Sequence, residues 1–150
     1  MTKKNSLKAL SKNKGFTLVE LIVVLVILAI LAAILVPTLL GYIDRARSEK
    51  DYSTAQAVRV ATQAQIDELY GKGDDEVTKD DIMKKDNLEE IYKLVCGNKE
   101  GTLDGQTVTI EDVTITKNQI MDITVGIKPA SSVMKKYRYD SSKNTWSSVS

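Results

Sequence analysis

Hydrophobic and polar positions divide this chain into three textures. Residues 1–15 are polar and carry five lysines. Residues 16–40 are apolar on every side, 25 positions interrupted by a single charge, Glu20. At a rise of 1.5 Å per residue such a stretch makes about 37 Å of helix, more than the roughly 30 Å of a bilayer's hydrocarbon core. It is therefore expected to cross a membrane. Residues 42–70 contain neither Gly nor Pro and are rich in alanine (Ala46, Ala55, Ala57, Ala61, Ala64), so the helix is expected to run on to about residue 70. Pro37 removes a backbone donor and Gly41 loosens the chain, which predicts a kink or local unwinding over residues 35–41.

In the second half of that helix Arg45, Glu49, Gln56, Gln63 and Asp67 keep one narrow sector polar. Apolar residues lie on two flanks, one with Ile43, Val58, Ala61 and Leu69, the other with Ala46, Ala57, Val60 and Ala64. One flank is expected to cover a sheet and the other to meet neighbouring helices. Gly71-Lys72-Gly73 is the stop signal. A short helix is predicted over about 79–96, with Thr78 as N-cap and Asp81 three residues on. Asp86 and Glu89 form a second pair resembling a capping box. Its apolar stripe is Leu88, Ile91, Tyr92 and Val95, and Gly97 ends it.

Beyond residue 101 the pattern turns to β-branched alternation. Strands are predicted at 107–110, 113–116 and 120–128, with turns at Asp104-Gly105 and Lys117-Asn118. A closing hairpin pairs 134–139 with 145–149. The fold class is thus α+β: a long N-terminal helix whose second half packs on a small antiparallel sheet of four or five strands. Its divisions are a leader (1–15), a long helix (16–70, with 16–40 spanning the membrane) and a head (71–150).

Charge and composition narrow the chemistry. Without the five leader lysines the chain has 16 basic and 20 acidic side chains, a net −4, so there is no strong nucleic-acid signal. Lysines on the leader hold that end in the cytoplasm by the positive-inside rule. Histidine is absent and Cys96 is the single cysteine, which excludes an intrachain disulfide and any catalytic or zinc site built on His or several Cys. No cofactor and no metal are expected. Cys96 reads as a buried, inert thiol. Ala32 and Ala33 lie between Leu31 and Ile34, so no Ala-x-Ala signal-peptidase site follows the apolar core.

A carboxylate inside a membrane helix costs about 2.5–3.5 kcal/mol even on a lenient scale, so Glu20 needs a counter-charge. Cleavage between Gly15 and Phe16 would supply one, an α-amine four residues before Glu20. It could pair within one helix or with an axially offset neighbour.

Lys14-Gly15-Phe16-Thr17-Leu18-Val19-Glu20, followed by an apolar helix with Pro37 and Gly41, resembles the class III signal sequence and N-terminal helix of type IV pilins and pseudopilins. The resemblance covers residues 1 to about 60. It implies a prepilin peptidase that cleaves after Gly15 and methylates the amine of Phe16. It implies that Glu20 neutralises a neighbour's amine during assembly and that the helix melts near Pro37 and Gly41. Its partners would be other copies of itself in a helical filament, the membrane before assembly, the peptidase and the pilus assembly machinery. The implied location is the plasma membrane as a single-pass prepilin, then the cell surface. Lack of a C-terminal disulfide departs from Gram-negative pilins and points to a Gram-positive relative.

Rival readings have their own residues. An uncleaved signal anchor would make Glu20 incidental. A pseudopilin of a type II secretion or competence DNA-uptake system would share the helix. A membrane-anchored hydrolase would use Asp74 and Asp80, without a visible nucleophile and base. The acidic run Asp74, Asp75, Glu76, Asp80 and Asp81 lacks the spacing of a calcium loop. Tyr137, Tyr139 and Trp146 are either an adhesive surface or, the favoured reading, cross-strand packing. Lys135, Lys136, Arg138 and Lys143 are either a DNA patch or a solvated edge.

Overall fold

The computed structural model describes residues 15–73, 76–130 and 132–149. The chain divides into two compact units, residues 1–44 and 45–150. Helix α1, Leu18–Gly71, contributes to both. In the first unit every residue from 15 to 44 is exposed. Here α1 is long and apolar enough to cross a membrane. The helix is unbroken through Pro37 and Gly41. Two features nevertheless weaken it locally. Pro37 leaves the carbonyl four residues earlier without its amide, and the Thr38 hydroxyl donates to the Ile34 carbonyl at 3.2 Å, a back-bond that favours bending.

The second unit is two layers, helices on one face of a sheet. On α1 its buried positions are Asp51, Thr54, Ala55, Val58, Ala61, Thr62, Gln65 and Ile66, spaced by threes and single steps so that they share one face. The flank of Val58 and Ala61 is buried with Leu69 packed beside it, whereas Ala57, Val60 and Ala64 are exposed. After Gly71 the chain turns through Gly73, whose φ of 115° suits glycine.

The predicted helix 79–96 is two helices, α2 (Lys79–Ile82) and α3 (Lys85–Cys96). Thr78 caps the first as expected: its amide and hydroxyl donate to Asp81 at 3.0 and 2.6 Å. Lys84 then takes an extended ψ of 140° and breaks the run. The Asp86–Glu89 capping pair does not form. Lys84 occupies the N-cap, Asp86 lies inside the first turn, and Glu89 is taken by Lys99 at 2.8 Å. The stripe is as read, with Ile91 fully buried and Leu88, Tyr92 and Val95 packed around it. Gly97, at φ 73°, ends α3.

Five antiparallel strands follow in spatial order β1-β2-β3-β4-β5. They are β1 (Thr102–Leu103), β2 (Gln106–Thr116), β3 (Gln119–Pro129), β4 (Lys135–Asp140) and β5 (Thr145–Val149). Both predicted two-residue turns carry positive φ at each central position: 50° and 76° at Asp104-Gly105, 52° and 59° at Lys117-Asn118. That is the backbone twist hairpins prefer. The strands predicted at 107–110 and 113–116 are one strand, β2. Its register shifts between Ile110 and Asp112, leaving Glu111 as the extra residue. The bulge explains the broken alternation, because it lets both Ile110 and Val113 face the core although they are three apart. A second shift gives β3 its own extra residue, Met121, and brings Ile120 onto the face of Ile123, Val125 and Ile127.

Candidate functional site

The residues singled out at the N-terminus lie together just ahead of α1 and in its first turn. Gly15 has open space where a side chain would stand, and Phe16 is 82% exposed. Both residues that flank the bond between them are exposed. Thr17 precedes α1, and Glu20 is the acidic residue of its first turn. The Thr17 amide and hydroxyl donate to one Glu20 oxygen at 2.8 and 2.9 Å, while the Glu20 amide donates to the Thr17 hydroxyl at 3.2 Å. This reciprocal arrangement is a capping box, which satisfies orphan amides at the start of the helix. Glu20 thus has donors within its own chain. Thr17 is a functional residue that the motif itself betrays, since Thr-x-x-Glu before an apolar run is the signal for a capping box.

Past this turn, α1 offers Val, Ile, Leu and Ala on every side, with no Asp, Glu, Lys or Arg from residue 21 to residue 43. Such a surface is stable only in lipid or against other apolar helices.

The other candidates in the head resolve into packing and ion pairs. Tyr139 and Trp146 are direct cross-strand partners with ring centroids 5.5 Å apart. Arg59 of α1 stacks over the Tyr139 ring at 4.4 Å. Tyr137 lies edge-on to Tyr52 of α1 at 4.9 Å, and its hydroxyl donates to the buried Asp51 at 2.8 Å. These rings fasten the sheet to α1; they are not a free adhesive face. Each of the four cations considered as a patch has a carboxylate beside it: Lys135 with Asp51 at 3.6 Å, Lys136 with Glu111 at 3.2 Å, Arg138 with Asp122 at 2.5 Å, Lys143 with Asp140 at 3.8 Å. Burial pushes the half-buried Cys96 thiol above its ordinary pKa, which lowers its reactivity. Asp74 and Asp75 lie outside the described residues, as do the leader's lysines. Among the described residues no cluster of three metal-ligating side chains occurs.

Gln56 and Gln63, read as part of a polar sector, turn out to clip α1 to the sheet. Gln63 donates to the Asn118 carbonyl at 2.8 Å and accepts from the Ile120 amide at 3.1 Å. Gln56 accepts from the Trp146 indole at 2.9 Å.

Compared with known proteins, residues 10–36 match the family model described as the prokaryotic N-terminal methylation motif. This is the class III signal peptide of type IV pilins. No curated protein and no solved structure matches the chain.

Proposed function

Taking as premise that a prokaryotic N-terminal methylation motif occupies residues 10–36, we propose that this chain is a type IV prepilin. Its mature form polymerises through α1 into a surface filament for adhesion, motility or biofilm formation. A prepilin peptidase cuts between Gly15 and Phe16 and methylates the new amine of Phe16. The mature subunit waits in the membrane with residues 16–40 in lipid, and the assembly machinery extracts it into a growing helical array. Extraction exchanges lipid for the apolar helices of other copies, so little hydrophobic cover is lost in the transfer.

The observation that carries this reading is Glu20, the lone charge of a long apolar run, one helical turn from the residue whose amine cleavage would expose. Pairing with the amine of an adjacent copy fixes the axial offset between subunits, because apolar surfaces alone slide without preferred register. The weak point at Pro37, Thr38 and Gly41 lets α1 unwind locally when the subunit is drawn into the array. Replacing Glu20 by Ala removes one partner of a buried pair, a loss of about 3–5 kcal/mol. The expected outcome is processed monomer retained in the membrane and few filaments in sheared cell-surface material. Normal filament yield from Glu20→Ala contradicts the mechanism. Electron microscopy of wild-type cells supplies the length test: long extracellular fibres fit this reading, whereas short rods confined to the envelope fit a pseudopilin.

A further inference from the structure

We infer that a cation-lined pocket, at the end of the second unit where α1 enters it, binds a phosphodiester whose alcohol carries free hydroxyls: the glycerol phosphate headgroup of a membrane phospholipid. The pocket has a volume of about 490 Å³ and lies wholly within residues 45–150. Arg47, Lys50 and Asp51 of α1 line one side, Asp104 and Gln106 of the β1–β2 hairpin another, and Lys135 at the start of β4 a third. Contacts of the two hairpin turns place it along α1. The β2–β3 turn meets the helix at Gln63 through Asn118, whereas the β1–β2 turn meets it at Lys50, through an ion pair with Asp104 at 2.7 Å.

The lining selects the ligand. Three cations against two carboxylates leave one positive charge in excess, which favours an anion. Asp51 is already held by Tyr137 at 2.8 Å and Lys135 at 3.6 Å. Arg47 and Lys50 are exposed; the planar guanidinium suits two phosphate oxygens at once, and the ammonium adds a point charge. The Gln106 side-chain oxygen is buried with no hydrogen-bond donor among the described residues. An acceptor so placed is costly until a donor reaches it. A phosphodiester's own oxygens carry no proton, so that donor is a hydroxyl elsewhere on the ligand. Chain connectivity supplies the source. Arg47 stands four residues beyond Ile43 on the unbroken α1, a rise of about 6 Å. The headgroup layer of a bilayer extends about 5–8 Å past the hydrocarbon core on each side. With residues 16–40 in lipid, as in the membrane-held stage proposed above, Arg47 is within reach of that layer, and the inference rests on that stage.

The test titrates the purified full-length chain in detergent micelles with phospholipids and counts bound lipid by native mass spectrometry. Dioleoyl phosphatidylglycerol should bind about tenfold or more tighter than dioleoyl phosphatidylcholine, and tighter than dioleoyl phosphatidylethanol, a diester of the same charge without hydroxyls. Arg47→Gln combined with Lys50→Gln should erase the advantage over phosphatidylcholine. Lys117→Gln combined with Lys143→Gln removes the same charge at exposed positions outside the lining and should preserve it. Gln106→Leu should bring phosphatidylglycerol down to the level of phosphatidylethanol and leave phosphatidylethanol itself unchanged. Free glycerol phosphate and inorganic phosphate, each at the lipid's own concentration, should not displace it. Equal losses from the two double variants mean a diffuse charge effect and overturn the pocket, as does equal binding of phosphatidylglycerol and phosphatidylcholine. Displacement by either soluble phosphate overturns the membrane as the source. A persistent preference for phosphatidylglycerol over phosphatidylethanol in Gln106→Leu overturns the hydroxyl contact. Each of these leaves the filament reading standing. A processed wild-type chain that fractionates away from membranes overturns the membrane-held stage of that reading, and the site with it.

Discussion

Asp51 is the residue on which the head's attachment to α1 is most exposed to damage. It is only 2% exposed and ionisable, and its carboxylate accepts a hydrogen bond from Tyr137 at 2.8 Å with Lys135 at 3.6 Å. Removing the hydroxyl with Tyr137→Phe leaves a buried acceptor short of its donor, which should cost about 1–3 kcal/mol in chemical denaturation of the full chain in detergent. A cost near zero would mean water reaches Asp51. At the other end of the chain, Thr17→Val removes the hydroxyl that caps α1 and holds Glu20. Losing such a cap is worth about 1 kcal/mol, so amide exchange over residues 18–21 in micelles should quicken by about fivefold. Thr17→Ser should restore it. Neither residue's partner was legible in the sequence in the same degree: Thr17 and Glu20 are three apart and betray their bond by spacing, whereas Asp51 and Tyr137 are 86 positions apart and meet only through the fold.

Among the elements, those defined by local rules could be read from the chain and those defined by pairing could not. The long helix, both two-residue turns and the Gly97 stop follow from composition and backbone preference. Splitting of 107–116 into two strands failed because alternation broke at Glu111 and Asp112, and a bulge looks like a turn until the partner strand supplies the register. Likewise the break between α2 and α3 is dictated by how Asn87 packs. Its side chain donates to the Asp81 carbonyl at 2.7 Å and accepts from Gln65 of α1 at 3.3 Å. Two element-level outcomes can be measured. Gly101 sits at φ 70°, and a Cβ there would lie 2.6 Å from the Val108 carbonyl oxygen. Gly101→Ala should therefore destabilise the head by about 2 kcal/mol or more, counting the left-handed penalty and the clash. In the opposite sense, Lys117 holds φ 52° at the β2–β3 turn, and Lys117→Asn should stabilise by about 0.5–1 kcal/mol because asparagine tolerates that conformation.

For the whole molecule, ionic contacts set the pH limits. Lys84 and Thr78 hold the Asp81 carboxyl far below its ordinary range. Lys99 lowers Glu89, Lys79 lowers Asp112, and Thr109 with Lys136 lowers Glu111. Each folded carboxylate therefore gives up its proton more readily than its unfolded counterpart. That stability is fully present above the unfolded value near pH 4 and is lost as pH falls through the lowered folded values. At the alkaline end, burial and then Asp51 push Tyr137 up, and burial raises Tyr92. Their contribution is lost once the pH rises above about 10, where the unfolded phenols ionise first. Thermal melts across pH should show a plateau bounded on these two sides; a melting temperature that climbs on acidification below about pH 4 would contradict the ion-pair assignments. Assembly makes a sharper demand, because it turns on one bond, that between Gly15 and Phe16. Mass spectrometry of the N-terminal peptide from sheared cell-surface filaments tests it most directly. The expected peptide begins at Phe16 with a methylated amine; one beginning at Met1, or at any residue beyond Ala33, would contradict the account.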